Sequence, residues 1–169
     1  YGAFAMSAYG SDDAIIIEND KLELHISAKG GRITAAFLKG YQTSDSLPLN
    51  LIDKDSSAFN LQFFSENRVI NTEDLYFIAS EHSSNSVSMK LMAEGNRYIE
   101  YVYSLKEGDY MMDFYINSNG LNSLIPSNQN TLELDWILNL PHTEKSLDNE
   151  RMYSTVYFKY LNAVSYTHL

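Results

Sequence analysis

Residues 21–38 read KLELHISAKGGRITAAFL, two stretches of alternating apolar and polar residues joined by a pair of glycines. In the first stretch Leu22, Leu24 and Ile26 occupy every second position. Side chains of a β-strand point alternately to opposite faces, so these three residues share one face and the polar residues between them share the other. The pattern predicts a strand with one buried face.

The two glycines predict a tight turn into the next strand. Gly30 and Gly31 suit a two-residue hairpin loop, because both central residues of such a turn adopt positive φ. With the glycines as the loop, the predicted pairs on one side of the ribbon are Ala28 with Ile33, Ile26 with Ala35, and Leu24 with Phe37; on the other side they are Ser27 with Thr34 and Glu23 with Leu38. Turn chemistry and hydrophobic pattern agree in this register.

The same period of two recurs along most of the chain. Each further run is bounded by Gly, Asn, Ser, Asp or Pro, the residues that usually end strands. The alternating apolar sets are Phe59, Leu61 and Phe63; Val87, Met89 and Leu91; Ile99, Tyr101, Tyr103 and Leu105; Met112, Phe114 and Ile116; Leu132, Leu134 and Trp136; and Val156, Phe158 and Tyr160. The only helical candidate, residues 143–151, is polar all round. We therefore predict an all-β domain of two stacked antiparallel sheets.

The composition limits the classes of partner. The chain has 169 residues, 44% of them hydrophobic, with 22 acidic against 12 basic residues and a net charge of −10. This hydrophobic content excludes a disordered chain. The acidic balance, without any cluster of Lys and Arg, argues against nucleic acid and against anionic lipid as partners. Cysteine is absent from the sequence, which excludes a disulfide framework and a thiolate metal site.

The order of these patterns predicts one domain. Residues 1–13 are small, polar and aperiodic, which is typical of a leader or linker. Residues 14–163 contain no linker that would divide them, so we predict a single β-sandwich there. No apolar run approaches the roughly 20 residues of a membrane-spanning helix, and the first residues lack the basic start of a signal peptide. Because the chain starts with Tyr1, we expect a piece of a longer protein whose targeting or anchoring segment lies outside it.

Four histidines are the first candidates for catalysis or metal binding. His25 lies on the polar face of the first strand, His82 and His142 lie in turn-like runs, and His168 is next to the last residue. None has a second His or Cys at the spacing of a metal site, and a His-Glu-x-x-His motif is absent. We predict that all four are exposed or loop histidines.

One carboxylate pair has a spacing that general acid–base chemistry on a sugar could use. Glu133 and Asp135 are two residues apart on a strand, hence on one face and about 6.5–7 Å apart. Leu132, Leu134 and Trp136 occupy the other face. The simpler prediction is that the carboxylates face water while the three apolar side chains are buried.

Other sequence signals of catalysis or cofactor binding are absent. There is no Gly-x-Ser-x-Gly nucleophile motif, and the glycine pair lacks the further glycine and the helix of a phosphate cradle. We therefore predict no catalytic residue, no cofactor and no metal. Half-buried strand positions explain the tyrosines more simply than stacking on sugars or peptides; the set is Tyr98, Tyr101, Tyr103, Tyr110 and Tyr115. Binding by sheet faces or edges stays open.

Several motifs in order resemble the start of the periplasmic domain of YidC-type membrane protein insertases. They are residues 18–22, ENDKL; 27–33, SAKGGRI; and 38–41, LKGY; with further likeness in residues 47–52, 63–64, 70–77, 98–103, 134–136 and 150–160. Gly-Gly turns are common, so the order and spacing of the motifs carry the resemblance. It covers nearly the whole chain up to Ala163 and is similar to Bacteroidetes members, including residues 1–5, YGAFA.

The resemblance implies a fold, a location and a role. Family members have an N-terminal membrane helix, then this domain, then a bundle of membrane helices that carries the insertase activity. The domain is a two-layer antiparallel β-supersandwich similar to galactose mutarotases, and it is not an enzyme. Its implied partners are Sec translocon components and nascent membrane proteins, at the bacterial inner membrane with this domain in the periplasm. The family's essential groove lies in the membrane bundle, so no functional residue carries over.

The end of the chain departs from the family pattern. After Asn162 the expected acidic continuation is missing, and residues 164–169, VSYTHL, form an atypical tail. We expect a domain truncated at its C-terminus, with unpaired sheet edges. Two alternatives stay open. One is a mutarotase-like carbohydrate-active enzyme, which needs a buried His and a Glu converging on a sugar. The other is a secreted carbohydrate-binding domain with no insertase attached.

Overall fold

The computed structural model describes residues 1–55, 57–125 and 132–155, together with the backbone of two short strands near the end of the chain. The strands are β1 (Ala14–Glu18), β2 (Leu22–Ser27), β3 (Ile33–Gln42), β4 (Pro48–Asn50), β5 (Ala58–Ser65), β6 (Arg68–Asn71), β7 (Ile78–His82), β8 (Ser86–Ala93), β9 (Arg97–Leu105), β10 (Met112–Asn119), β11 (Glu133–Ile137), β12 (Tyr157–Phe158) and β13 (Thr167–His168). An α-helix, α1, spans Leu147–Tyr153, and short 3₁₀ helices span Gly2–Ala8, Thr72–Asp74 and Leu121–Ser123. In these parts of the chain no helix is long and apolar enough to cross a membrane.

The strands form antiparallel sheets, as the alternation and the hairpin predict. The first sheet has the order β1-β2-β3-β4, the second β10-β9-β8-β7 and the third β11-β5-β6, while β12 pairs with β13. Most paired strands follow each other in the sequence, so short turns connect them. β11 differs, because it pairs with β5 across a long stretch of chain. The all-β antiparallel fold class is confirmed.

The three larger sheets share one hydrophobic core. The inner faces predicted for β2, β5, β8 and β9 are all buried; they comprise Leu22, Leu24 and Ile26; Phe59, Leu61 and Phe63; Val87, Met89 and Leu91; and Ile99, Tyr101, Tyr103 and Leu105. Burial of this surface stabilises the fold by about 25 cal/mol per Å² of apolar area removed from water. Sheets that pack apolar faces together in this way form a layered sandwich.

The glycine hairpin forms, but not in the predicted register. Gly30 and Gly31 have φ of +76° and +62°, so the expectation of positive φ is confirmed. The observed pairs are Leu22 with Leu38, Glu23 with Phe37, Leu24 with Ala36, His25 with Ala35, and Ile26 with Ile33. The predicted register is therefore wrong. Leu22, Leu24 and Ile26 still share the buried face, but Ala35 and Phe37, which were predicted on that face, lie on the opposite one beside His25 and Glu23.

Two features account for the shift in register. The pairing slips between His25 and Ile26, which leaves Thr34 as an extra, bulged residue on β3. The glycine turn also binds elsewhere in the fold, since the Gly30 amide donates to the Leu75 carbonyl at 2.8 Å. Because the glycine turn also binds Leu75, its loop is longer than a free two-residue hairpin loop. The alternation of residues within the hairpin gives no information about this distant partner.

The N-terminus is not an unstructured leader. Residues 2–8 form the first 3₁₀ helix, where Phe4 is fully buried with its ring centroid 5.4 Å from that of Phe63. The Ser7 hydroxyl donates to the Met92 carbonyl at 2.9 Å, which fixes this segment to β8. The expectation of a linker is therefore wrong for this segment. A single buried aromatic among small residues has no period by which the sequence would reveal it.

The helical candidate, residues 143–151, is confirmed in part, because α1 begins at Leu147 and extends to Tyr153. It begins after Ser146, whose hydroxyl accepts a hydrogen bond from the Asn149 amide at 3.4 Å, and it buries no residue, as its polar composition predicts. Residues 159–166 and Leu169 lie outside the described part of the chain. The strand predicted around Tyr160 and most of the atypical tail fall there.

Candidate functional site

His25 is tied to its own sheet. It lies on the outer face of β2, where Nε2 is 2.7 Å from Oε1 of Glu23. Its ring centroid is 5.4 Å from that of Phe37 on the neighbouring strand. A histidine paired with a carboxylate two residues away on one face is a local ion pair or hydrogen bond. His25 lies on the predicted outer face, but its side chain is half-buried rather than exposed.

The other histidines do not converge on His25. Nε2 of His82 lies 3.0 Å from the Ile16 carbonyl, which connects the β7–β8 turn to β1. His142 pairs with Glu150 of α1. Among the described residues no group of three His, Cys, Asp or Glu is arranged to hold a metal ion. The side chain of His168 lies outside the described set.

Glu133 and Asp135 lie on the outer face of β11, opposite Gln62 and Asn60 of β5. Both carboxylates are exposed, in agreement with the prediction that they face water. His25 is on the first sheet and Glu133 on the third, so the histidine and the acid that a mutarotase-like mechanism needs stand on different sheets.

The other face of β11 is not buried, contrary to the prediction. Leu134 and Trp136 pair with Leu61 and Phe59, which point into the core, so both residues are on the core-facing side. Leu134 is nevertheless 45% exposed and Trp136 53% exposed, and Leu132 beside them is exposed as well. The alternation predicts the face of these residues correctly, but no described element covers that face.

The uncovered side chains line an aromatic groove between the second and third sheets. We define the aromatic groove by Phe59, Tyr103, Phe114 and Trp136, with Arg32 at one end. The ring centroid of Phe59 is 5.9 Å from that of Trp136 and 5.7 Å from that of Phe114. The ring centroids of Phe114 and Tyr103 are 4.7 Å apart. Edge-on and tilted contacts at these distances are favourable, so the rings hold each other in place.

The polar end of the groove is fixed by backbone carbonyls. One guanidinium nitrogen of Arg32 donates to the Ser57 carbonyl at 3.0 Å and another donates to the Lys54 carbonyl at 3.2 Å. Arg32 thus holds the loop before β5 against the glycine turn. Arg32 is the charged residue in the lining of a groove whose other lining residues, apart from Ser57, are mainly apolar.

The tyrosines of the core are not acids or bases at neutral pH. The Tyr103 hydroxyl donates to the Gly31 carbonyl at 2.6 Å, and burial raises the pKa of Tyr103 well above its usual value. Burial likewise raises the pKa of Tyr101 to about 12. The groove therefore offers shape and apolar contact, and its buried hydroxyls stay protonated.

The tyrosine set does not form one binding surface. Tyr101 and Tyr103 point into the core, whereas Tyr98 lies on the opposite face of β9 with the Lys90 ammonium 4.6 Å from its ring centroid. Tyr115 is exposed on β10. Tyr101 and Tyr103 pack within their strand as predicted, but they are fully buried rather than half-buried, and their hydroxyls bond inside the fold.

Sequence patterns did not single out the groove. Phe59, Phe114 and Trp136 were each assigned to a strand face, but their meeting depends on β11 pairing with β5. In the sequence, Arg32 is simply the residue that follows the glycine turn. A lone large aromatic followed by apolar residues, Trp136-Ile137-Leu138, was the one available signal.

Comparison with protein families gives a match over most of the chain. A profile described as the YidC periplasmic domain matches residues 14–168. The chain is 36% identical over 162 residues to the membrane protein insertase YidC of Azobacteroides pseudotrichonymphae and 37% identical over 163 residues to that of Parabacteroides distasonis. Each match covers 95% of this chain but 26% of the relative. The chain thus spans about a quarter of the length of these relatives.

Among solved structures the similarity is weaker. A galactose mutarotase-like protein from Lactobacillus casei aligns over 63% of this chain and 44% of its own, with a TM-score of 0.45 and 13% identity. An aldose epimerase homologue from C. elegans aligns over 56% of this chain and 42% of its own, with a TM-score of 0.37 and 11% identity. At these scores the fold description rests on the sheets themselves.

Proposed function

Because this chain belongs to the YidC periplasmic domain family, we propose that it is the periplasmic docking module of a membrane protein insertase at the bacterial inner membrane. The observation that supports this most strongly is the identity of 36% and 37% to insertases over nearly the whole chain. The module acts by binding, through exposed sheet faces or edges, rather than by catalysis. Its clients are nascent membrane proteins.

The arrangement of polar groups supports a binding role. The histidines and carboxylates of the described residues are engaged locally or face solvent, and the aromatic groove contains no titratable group poised near neutral pH. Catalysis on a sugar needs an acid and a base on either side of one bond. Many binding modules use an exposed sheet surface that carries aromatic residues.

Photocrosslinking in the full-length insertase tests the docking role. A photoreactive residue is placed at Tyr41 on β3 or at Tyr115 on β10, two exposed aromatic positions on different sheets. With ribosome-bound membrane protein precursors we expect adducts at one or both positions. A precursor of a protein without membrane segments is the control and gives none. If membrane protein precursors form adducts with the membrane region alone, the docking role is wrong.

Sec translocon components are the second proposed partner. The same two photoreactive variants, in membrane vesicles that contain the translocon, should give an additional adduct with a Sec component. Adducts with precursors but not with any Sec component would reject the Sec partnership and leave client binding standing. The two parts of the proposal are therefore separately testable.

A mutarotase-like enzyme is the alternative that the docking role must exclude. It predicts saturable interconversion of sugar anomers, lost in His25→Ala or Glu133→Gln. We expect no turnover above the spontaneous rate, because these two side chains stand on different sheets. Saturable turnover that either substitution abolishes would contradict the docking proposal. Turnover that survives both would show that other residues carry an activity.

The domain boundaries are part of the same proposal. We take residues 14–163 as the periplasmic β-sandwich and residues 164–169 as an atypical tail, in a protein whose membrane segments lie outside this chain. We propose that this tail is not native to the gene. Re-sequencing the gene tests this, because a native reading frame that continues unchanged through Leu169 would reject a foreign tail.

A further inference from the structure

Strand β3 carries three extra residues where it passes β4. Leu38 and Gln42 are four residues apart, yet their partners on β4 are adjacent, so residues 39–41 have no partner on that strand. Gly40 lies within this bulge and has a φ of +82°. A bulge bends its strand and changes the direction of the side chains in it, and bulges are over-represented next to functional sites.

The bulge lines a concave site on the outer face of the first sheet. The side chains of β2 that reach it alternate with Leu22 and Leu24, which are buried in the core. We define the β3 site by Glu23, His25, Phe37, Lys39, Tyr41 and Gln42. Its volume is about 610 Å³, within the range of about 300–1,000 Å³ that is usual for small-molecule sites. It shares no lining residue with the aromatic groove.

Aromatic surface in the β3 site is partly fixed by neighbouring groups. The ring centroid of Phe37 is 5.4 Å from that of His25, and Nε2 of His25 is 2.7 Å from Oε1 of Glu23. Tyr41 is 53% exposed. The face of an aromatic ring is negative, so it attracts the weakly positive C–H groups of an apolar ligand face. The exposed ring of Tyr41 can bind such a face.

Charged groups at the β3 site already have partners within the protein. Glu23 pairs with His25, and Nζ of Lys39 donates to Glu18 and, at 2.7 Å, to the Asn19 carbonyl. An ionic ligand would have to displace one of these partners and leave a charged group unpaired. The arrangement therefore favours a ligand without charge.

Some hydrogen-bonding capacity at the β3 site is not used by the protein. In the described part of the chain, the Gln42 side-chain amide has no hydrogen-bond partner, and Glu23 is engaged through Oε1 alone. The amide can donate and accept, and the second carboxylate oxygen can accept. Hydroxyl groups, which both donate and accept, satisfy such a set.

We propose that the β3 site binds a neutral oligosaccharide, with the apolar face of a sugar ring on Tyr41 and sugar hydroxyl groups on Gln42 and Glu23. A sugar combines an apolar ring face with several hydroxyl groups and no charge. An extended peptide would pair with a free sheet edge, whereas β3 is an internal strand between β2 and β4. The proposal adds a class of ligand to the docking role and does not depend on it.

Saturation-transfer NMR of the 169-residue chain with defined trisaccharides tests the class of ligand. The neutral probes are maltotriose, cellotriose and chitotriose, and the charged probe is trigalacturonic acid. We expect saturable binding of at least one neutral probe and at least about tenfold weaker binding of the acidic one, because its carboxylates meet Glu23 and Glu18. Absence of saturable binding for all three neutral probes would overturn the proposal, as would equal binding of the acidic probe.

Substitutions at Tyr41 and Gln42 locate the bound sugar. Tyr41→Ala and Gln42→Ala should each weaken binding at least about fivefold, since each removes a direct contact. Tyr41→Phe keeps the ring and should bind like the wild type. Tyr115→Ala is the matched control, because Tyr115 is 58% exposed but lies on the second sheet. Thermal unfolding checks that each variant folds. Unchanged binding by folded Tyr41→Ala protein would overturn the proposal.

Competition distinguishes a sugar from a client at the same place. Photocrosslinking from Tyr41 in the full-length insertase is repeated with the best neutral trisaccharide at saturation. Adducts of membrane protein precursors at Tyr41, together with no binding of any trisaccharide, would assign the β3 site to clients and overturn the proposal. Failure of client docking would leave trisaccharide binding unchanged, so the two proposals fail separately.

Discussion

At the scale of single residues, buried aromatic side chains connect parts of the fold that are distant in sequence. Phe59 contacts Tyr101, Phe114 and Trp136, so one ring joins β5 to β9, β10 and β11. Phe4 likewise joins the N-terminal segment to β5 through its ring contact with Phe63. Each aromatic side chain removes about 150–250 Å² from water on burial. Substitutions at these residues therefore report on long-range packing.

Phe4→Ala should lower the free energy of unfolding by about 3–5 kcal/mol, because it removes a fully buried ring and leaves a cavity. Urea unfolding of the 169-residue chain, followed by far-UV circular dichroism, measures the loss. Met6→Ala in the same 3₁₀ helix is the control and should change stability by less than about 0.5 kcal/mol, since Met6 is exposed. Equal effects of the two substitutions would mean that the N-terminal segment does not pack on the domain.

Tyr101 makes stability depend on alkaline pH. Burial raises the pKa of Tyr101 from 10.0 to about 12, so the phenol ionises more easily in the unfolded chain than in the folded protein. The stability contributed by the neutral phenol is complete below about pH 10 and is lost as the pH rises towards about 12. As the pH rises over this interval, the free energy of unfolding of Tyr101→Phe should therefore fall by about 2 kcal/mol less than that of the wild type.

The measurement for Tyr101 is urea unfolding at several pH values. At neutral pH we expect little difference between Tyr101→Phe and the wild type, because the hydroxyl makes one long hydrogen bond, 3.3 Å to Oγ1 of Thr72. Tyr9→Phe is the matched control on an exposed tyrosine and should follow the wild type throughout. Alkaline unfolding curves that coincide for all three proteins would contradict the role of Tyr101.

At the scale of elements, the glycine turn shows how a loop is fixed by what surrounds it. The Gly31 carbonyl accepts the Tyr103 hydroxyl, and the Gly30 amide binds the Leu75 carbonyl. A Cβ built on Gly31 would lie 3.0 Å from the rings of Phe77 and Tyr101. The turn therefore needs glycine both for its backbone angles and for space.

Gly31→Ala and Gly40→Ala separate these two requirements. Both glycines have positive φ, but nothing lies within 4 Å of a Cβ at Gly40. Gly40→Ala should lower the free energy of unfolding by about 1–2 kcal/mol, because alanine is strained at positive φ. Gly31→Ala should cost about 1–3 kcal/mol more, because the methyl group is also forced against two rings. Thermal unfolding measures both, and equal losses would show that the ring contacts yield without cost.

At the scale of the whole molecule, exposed apolar side chains are concentrated in the later part of the chain. From the residue before β10 onward they include Met111, Tyr115, Leu132, Trp136, Ile137, Leu140, Met152 and Tyr153. Earlier strands keep their large apolar residues mostly in the core. A surface of this kind promotes association between molecules unless another segment covers it.

Leu140→Ser should reduce self-association of the 169-residue chain without loss of stability. Leu140 is 71% exposed and lies two residues after Leu138, which lines the aromatic groove, so its removal from the surface weakens apolar contact between molecules. Leu47→Ser makes the same substitution at an exposed residue of the β3–β4 turn, away from the groove, and should have little effect. Sedimentation velocity over a concentration series measures this. Equal effects at both positions would argue that association does not involve the groove.

Many features of the fold were predictable from local pattern, because strand faces have a period that the sequence displays. The buried faces of β2, β5, β8 and β9, the all-β class and the exposed helix α1 follow from alternation and composition. The N-terminal 3₁₀ helix was not predictable, since the burial of Phe4 depends on Phe63. The aromatic groove was not predictable either, because its rings come from strands that meet only through long-range pairing.

The sequence by itself determined the inward faces of β2, β5, β8 and β9, that the glycine turn needs positive φ, and, through the order of its motifs, the insertase family. Only the tertiary structure decided the register of the hairpin, the packing of the N-terminus and the exposure of Leu134 and Trp136. The physical reason is that alternation records the two faces of a strand, whereas register and cover depend on partners distant in the sequence. Leu134 and Trp136 face the core as their pattern predicts, yet they are exposed because no described element lies over them.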